Sequence, residues 1–600
     1  MILDKLKAVY PGEINEKIKR KILSKIYPAG YVSNGVIPEN LCFNLFTKKE
    51  NKVFRNKRFK NDSFVLLGKE FSIDENINWS LKEKHDYKIW VNETFEGYED
   101  VKYVWELNRL QFITQMSLDY VLDPETEKIE KIKKIIDSWI ENNKVDYGIN
   151  WCSNLEVSIR AVSLIFIKII LSDYISEDYL LNSLYFHGEH IFKDIKYSEK
   201  CIPNNHVIGE ASALYILSHV LKFDDNYKWR DKAKRILKKY LKHFNDDGTH
   251  VEASLGYQRF VLQMYLSVYL FSQKYNDEFI SKELEDIFEK SYLFLKTIEK
   301  PDESYPRFGD WDDGVFYKLD FEEITNMKSF VDTLGYFFNY EDNRENITIQ
   351  ALVLEYVFGE IKIVSKYDEY AFKPGISLFE NGKYGIIKND DFYVFMNNQK
   401  QIFHSHSDGL SLEISKGNKN ITLDSGTYSY NKDIKIRKYM RSTKAHNTVY
   451  MCMDQAKQIG TFRWINAPDN DLVKLKEDGI EKIRGIINYK NGYYHERTIF
   501  IKDESLYIKD KTKSDAEKTE IIYHFSPEVK ISIEDKKVVI DNKIYIFLKT
   551  NSEYDIELLN GTYSPSYGIE TKRRTVKYII RDKESEAITV ITSDKKLFIR

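Results

Sequence analysis

Cysteine is scarce and scattered. Four occur in 600 residues, at Cys42, Cys152, Cys201 and Cys452, with no CxxC pair. A disulfide-stapled fold is not expected from that spacing. Long apolar runs are also missing. A membrane helix needs roughly 18 or more consecutive apolar residues, and the most apolar stretch, AVSLIFIKIIL (161–171), is shorter and contains Lys168. There is no excess of one charge. Ninety Lys and Arg stand against 93 Asp and Glu, a net charge of −3, so nothing draws the chain in bulk to nucleic acid or an anionic membrane. The first residues, MILDKLKAVYPGEINEKIKRKI, are charged throughout and lack the apolar core of a signal peptide. A cytoplasmic location is the expectation from that feature.

Apolar and charged residues, at 42% and 30%, give a soluble balance with ample material for a core. Aromatics reach 14%, with 43 Tyr and 35 Phe. Such a supply suits a glycan-binding cleft, and coding bias would produce it equally well.

The period of the apolar pattern divides the chain in three. Residues 1–100 are mixed: FVLLGKEFSI (64–73) reads as strand and INWSLKEKHDYKIWVNE (77–93) as an extended loop anchored by tryptophans. Residues 101–363 are helical. Leu107, Leu110, Ile113, Met116 and Tyr120 make one stripe, and further helices are expected near 126–142, 154–173, 176–196, 205–222, 228–245, 256–275, 281–299, 320–338 and 346–358. Helical hairpins in such a series stack into an α/α solenoid or close into a toroid. A linker is expected at 364–375. From 372 to 600 the period becomes two, with GN, DN and NG turns, which predicts a large antiparallel β-sandwich.

Several stretches carry candidate chemistry. In 404-HSHSDG-409 a strand of period two would set His404, His406 and Asp408 on one face. Asp424 and His446 follow in the same region. Two imidazoles and a carboxylate can hold a divalent ion; ordinary hydrogen-bonded strand residues are the competing reading. In 203-PNNHVIGEASALYILSHVLKF-223, Asn204 or Asn205 suits a helix N-cap. The same helix end favours negative charge, so Asn205 and His206 could hold a substrate carboxylate. In 246-DDGTHVEASLGYQRFVLQMY-265, Ser254 is a cap and Tyr257 lies near the helix start with Glu252 as support or acid; a structural tyrosine is the commoner case among so many. The loop 307-RFGDWDDGVF-316 offers Asp310, Trp311 and Asp312 as a sugar subsite or a plain turn, and has no EF-hand pattern. In 437-RKYMRSTKAHNTV-449, Arg437, Arg441 and Lys444 form a basic loop, either solvated or turned to an anionic substrate through arginine's bidentate fork.

Read together, DVKYVWELNRL (101–111), WCSNLEVSIR (151–160), NNH (204–206), GTHVEASLGY (248–257), FGDWDDG (308–314), HSHSDGLSLEI (404–414), LDSGTYSY (423–430) and RSTKAHNTV (441–449) resemble the heparinase II/III family of polysaccharide lyases. The WELNRL block looks most like the branch found with bacterial surface-polysaccharide genes. The resemblance implies a multidomain α and β fold, an incomplete (α/α) toroid followed by a large antiparallel β-sandwich. It implies β-elimination on a uronic-acid glycan, an acidic polysaccharide or oligosaccharide, with no organic cofactor and no nucleic acid. Asn205 matches the residue that neutralises the C6 carboxylate. His206 matches its assistant or a base. Tyr257 matches the catalytic acid, and a base if nearby positive charge lowers its pKa from about 10. His404 matches the catalytic histidine. His406, Asp424 and His446 match the ligands of one zinc ion, structural in the members that hold it. Glu252, Asp310, Trp311 and Arg441 are the expected substrate contacts. Exported relatives would place such an enzyme in the cell envelope or periplasm, against the charged N-terminus. Two other functions remain open at this stage: a glycoside hydrolase using Glu252, Asp310 and Asp312, and a non-catalytic glycan-binding or assembly protein.

Overall fold

The computed structural model describes residues 7–26, 36–44, 63–73, 77–81, 100–338, 347–360, 363 and 374–599. Most of the expected linker, 364–373, and most of the loop, 82–93, lie outside them. FVLLGKEFSI, expected as one strand, turns at Leu67–Gly68 into a β-hairpin, Ser63–Leu66 against Lys69–Ser72.

Helices dominate from Val101 to Phe358. Asn154–Ile170 is buried along its whole length, and Asn205–Val220 and Leu255–Lys274 nearly so. A helix apolar on every side belongs inside a domain. Asn205–Val220 packs against each of the other two, and together they make an inner layer. Thr126–Asn142, Asn226–Tyr240 and Ser281–Ile298 bury a single stripe each and lie outside them. AVSLIFIKIIL is thus the innermost helix rather than a membrane segment. Its Lys168 reaches the helix end and donates to the Ser176 and Tyr179 carbonyls at 3.1 and 2.9 Å. Among the described residues no helix is long and apolar enough to cross a membrane.

Two expected helices are corrected. The stripe through Leu107–Tyr120 is split into Val101–Asn108 and Gln111–Leu122, because Leu110 takes a left-handed conformation with φ 59°. The helix expected over 320–338 begins only at Met327. Asp320 instead organises the preceding loop, accepting from the Glu322 amide and the Ser329 hydroxyl.

From Gly375 onward the chain is antiparallel sheet. Five strands follow in sequence order, from Gly375–Phe379 to Lys419–Thr422. An eight-stranded sheet spans Asp469–Glu477 to Glu584–Thr592, and a four-stranded one is built around Thr519–His524 and Thr571–Ile580. Alternate residues such as Ile483 and Ile487 point into one core with Leu410, Leu412, Ile414 and Tyr523. Gly485 makes room for this: a Cβ there would sit 2.2 Å from Leu410. The helical layer and the sandwich meet across the segments that carry the candidate residues.

Candidate active site

Asn204 caps the helix Asn205–Val220, its side chain accepting from the His206 amide at 3.2 Å. Asn205 then sits at the first helical position. Its backbone N–H and its Nδ2 both donate to Glu252, each at 2.6 Å, and Nδ2 lies 3.3 Å from His404 Nε2. Ser254 caps the helix Leu255–Lys274 by accepting from the Tyr257 amide, as the sequence leads one to expect. That fixes Tyr257 at the start of its helix. Its ring stacks on His404 with centroids 3.5 Å apart and planes 11° from parallel. Its hydroxyl reaches Asp312 at 3.2 Å and the Tyr430 hydroxyl at 3.0 Å.

The segment HSHSDG is corrected. It is a loop, not a strand; the strand begins at Ser411. Phe403 and Leu410 flank it with φ of 47° and 60°, so the period-two face does not form. His404 and His406 both turn to one carboxylate: Asp310 Oδ2 is 3.1 Å from His404 Nδ1, and Oδ1 is 2.9 Å from His406 Nε2. Asp408 turns to Asn397 instead. Asp310 also takes a bidentate pair from Arg437. Burial alone would raise its pKa, but Arg437 and the two imidazoles hold it well below the usual carboxylate range. An ionised Asp310 makes Nδ1 of His404 the donor and leaves the Nε2 lone pair facing Asn205. Gly309 lets this loop approach: its φ is 66°, and a Cβ would lie 2.3 Å from the Ala253 carbonyl oxygen.

Tyr257 stays a phenol. Burial first, then Asp312 and Asp310, push its pKa well above 10. The lowering by positive charge expected for a tyrosine base is absent. Burial drives His206 down to about 4 against the pull of Glu156, so its ring is neutral near pH 7. His219 is likewise lowered to about 4, mainly by burial. Unfolding frees both to take up protons near pH 6.5. Stability that is present above pH 6.5 is therefore lost as pH falls towards 4. The melting temperature should drop over that interval, and His206→Gln and His219→Gln should flatten the drop; an unchanged slope in the double variant would sink this.

Of the expected substrate contacts, the buried ones serve the protein itself. Asp310 and Arg441 are 0% exposed and Trp311 is 3%. Arg441 donates to the Thr461 and Ser405 carbonyls and stacks on Trp464 at 4.2 Å, bracing the histidine loop. Glu252 accepts two bonds from Asn205, one on each oxygen.

Sequence reading gave no role to Lys102, Glu106, Arg109 and Glu156. Lys102 bonds Glu106 at 3.0 Å and lies 3.2 Å from Asp312; Arg109 binds Glu156 through two nitrogens at 2.7 and 2.8 Å. Burial would raise the Asp312 pKa, but Lys102 and Arg109 lower it. The signal was the spacing of three of them: Lys102, Glu106 and Arg109 fall at i, i+4 and i+7 along the mostly apolar helix Val101–Asn108 and its C-cap.

His406, Asp424 and His446 bring one ligand atom each within 4.8 Å of one another, all buried. His406 Nδ1 and His446 Nε2 have no hydrogen-bond partner. His406 Nε2 faces Asp310, the arrangement that orients a metal-bound imidazole. Two nitrogens and a carboxylate suit zinc, so these residues fit the ion.

The two-domain arrangement is that of structurally known polysaccharide lyases. A crystal structure of heparinase III matches with TM-score 0.64 at 17% identity, over 87% of this chain and 80% of that one. A heparan sulfate lyase from Pedobacter heparinus gives 0.53 at 16%, over 88% and 80%. A Streptomyces coelicolor A3 chondroitin AC lyase in complex with chondroitin sulphate gives 0.51 at 9%, over 83% and 76%. No curated protein matches the sequence. The heparinase II/III N-terminus matches residues 46–332 and the heparinase II/III-like C-terminal domain residues 373–594. The chain belongs to the heparinase II/III family and is a polysaccharide lyase.

Proposed function

We propose that this enzyme cleaves a uronic-acid-containing glycan by β-elimination at the junction of Asn205, Tyr257 and His404. The observation that carries the reading is their convergence from three distant segments: the Asn205 amide 3.3 Å from His404 Nε2, and the Tyr257 ring stacked on the same imidazole. The names of the structural neighbours, heparinase III and heparan sulfate lyase, support a sulfated or carboxylated glycan as the substrate class.

In this reading the Asn205 amide exchanges its longer bond, to His404, for the C6 carboxylate of the substrate. Its bonds to Glu252 keep it aimed. Withdrawing charge from that carboxylate acidifies the C5 proton. His404 Nε2, holding a lone pair because Nδ1–H is given to Asp310, accepts the proton. The C5–H pair forms the C4–C5 double bond, and the C4–O bond breaks. Tyr257, kept protonated by its surroundings, donates to the leaving oxygen. Neutral His206 stands by as assistant, or as base for the other C5 epimer. Zinc bound by His406, Asp424 and His446 would cross-link the loop that bears His404. The hydrolase reading loses support because Glu252, Asp310 and Asp312 are all engaged by Asn205, Arg437 and Lys102.

Ultraviolet absorbance of the unsaturated uronate, followed over a panel of uronic-acid polymers and oligomers, tests this. The expected result is a rising signal with at least one glycan, lost in His404→Ala. New reducing ends without absorbance would overturn it in favour of hydrolysis.

A further inference from the structure

We propose that His243, His250 and Glu252 form a second divalent-metal site of zinc type, behind the Asn205 amide and sharing no residue with His406, Asp424 and His446. One ligand atom from each of the three lies within 4.8 Å of the others. His243 Nδ1 and His250 Nε2 are buried and have no hydrogen-bond partner. Orphaned polar atoms in a dry interior are costly, and a metal ion answers both at once.

The backbone is built to hold this trio. His243 ends the turn after the helix Asn226–Tyr240. The chain then doubles back: Val251 N–H donates to the His243 carbonyl at 2.9 Å, and Phe244 pairs with His250. Gly248 closes the turn at φ 81°, and a Cβ there would lie 2.2 Å from the Lys290 carbonyl oxygen. Gln258 and Ser291 donate to the Gly248 carbonyl at 2.8 and 3.0 Å. The hairpin is therefore preset rather than formed by the ion.

The chemistry of the donors agrees. Burial lowers His243 to about 4 and His250 well below its usual value, so both rings are neutral and carry a lone pair. The Glu252 N–H reaches His250 Nδ1 only at 3.4 Å, the outer limit of a hydrogen bond. Ligation through Nε2 costs just that contact. Glu252 is fully buried, and each of its oxygens accepts one bond from Asn205 and keeps a further lone pair. Among the described residues the only ionisable cation within 4 Å of it is His404, at 3.6 Å. A buried carboxylate without a firm cation is expensive. A dication supplies one. Its effect on Asn205, drawing charge away from where the substrate carboxylate would bind, rests on the proposed function; the site itself does not.

The test is zinc content of the full chain after loading with zinc and passage over chelating resin. His250→Ala is expected to lose about one zinc per chain relative to the unsubstituted protein. His446→Ala loses its own zinc independently, and the double variant loses both. Equal zinc in His250→Ala and the unsubstituted protein overturns the proposal. Should His250→Ala not fold, His243→Asn, at the half-buried end of the hairpin, decides by the same count. Cobalt(II) loaded into His446→Ala gives a readout of geometry: visible d–d absorption that vanishes on adding His243→Asn is expected, and absorption that persists overturns the site.

Discussion

Tyr257→Phe is expected to lower formation of unsaturated product by about 10²–10⁴-fold, the usual worth of a positioned proton donor, while leaving the fold intact. The phenylalanine ring keeps the stack on His404 and the buried helix position. Only the hydroxyl is lost, with its contacts to Asp312 and Tyr430. Lys102 still pairs Asp312 at 3.2 Å, so the stability cost is on the order of 1 kcal/mol. Acid and base roles separate by leaving group. A substrate whose leaving group needs no proton should recover most of its rate in Tyr257→Phe if the hydroxyl acts as acid, and none if it acts as base. Activity within about threefold of the unsubstituted enzyme on the natural linkage would remove Tyr257 from the chemistry.

The architecture was readable because period is a one-dimensional property. The switch from helical to strand alternation near 372 needs no knowledge of partners, and the caps at Asn204 and Ser254 are local hydrogen bonds. The histidine loop was not readable for the converse reason. Six residues alternating His-Ser-His-Ser fit a strand by pattern, but their conformation is set from outside. Asp310 approaches from 94 residues away, and is itself held by Arg437, 127 residues further along the chain. Charge burial fails in the same way. Arg441 reads as a basic loop residue until Trp464 and the Ser405 and Thr461 carbonyls enclose it. Lys102, Glu106, Arg109 and Glu156 have no role in the sequence reading, and form an interior network only when two helices and the 307–314 loop meet.

Asp310→Ala is expected to be the most damaging single change, costing about 3–5 kcal/mol of stability by leaving a charge buried alone and abolishing activity with it. Asp310 is the carboxylate on which both candidate centres turn. Its two oxygens take the Arg437 fork, the His404 Nδ1 and the His406 Nε2. Without it, Arg437 keeps the Thr461 carbonyl and the faces of Tyr430 and Phe462, with no carboxylate. His404 loses the acceptor that points its Nε2 lone pair at Asn205, and His406 loses the one that leaves Nδ1 for a metal. The two effects separate in a double variant. Asp310→Ala with Arg437→Met removes both charges and should regain most of the stability, since replacing a buried pair by apolar groups is often near neutral. It should regain no activity, because the imidazoles still lack their acceptor. Denaturant midpoints read the first and ultraviolet absorbance the second. A single variant within about 0.5 kcal/mol of the parent, or a double variant that turns over, would show that Asp310 orients neither histidine.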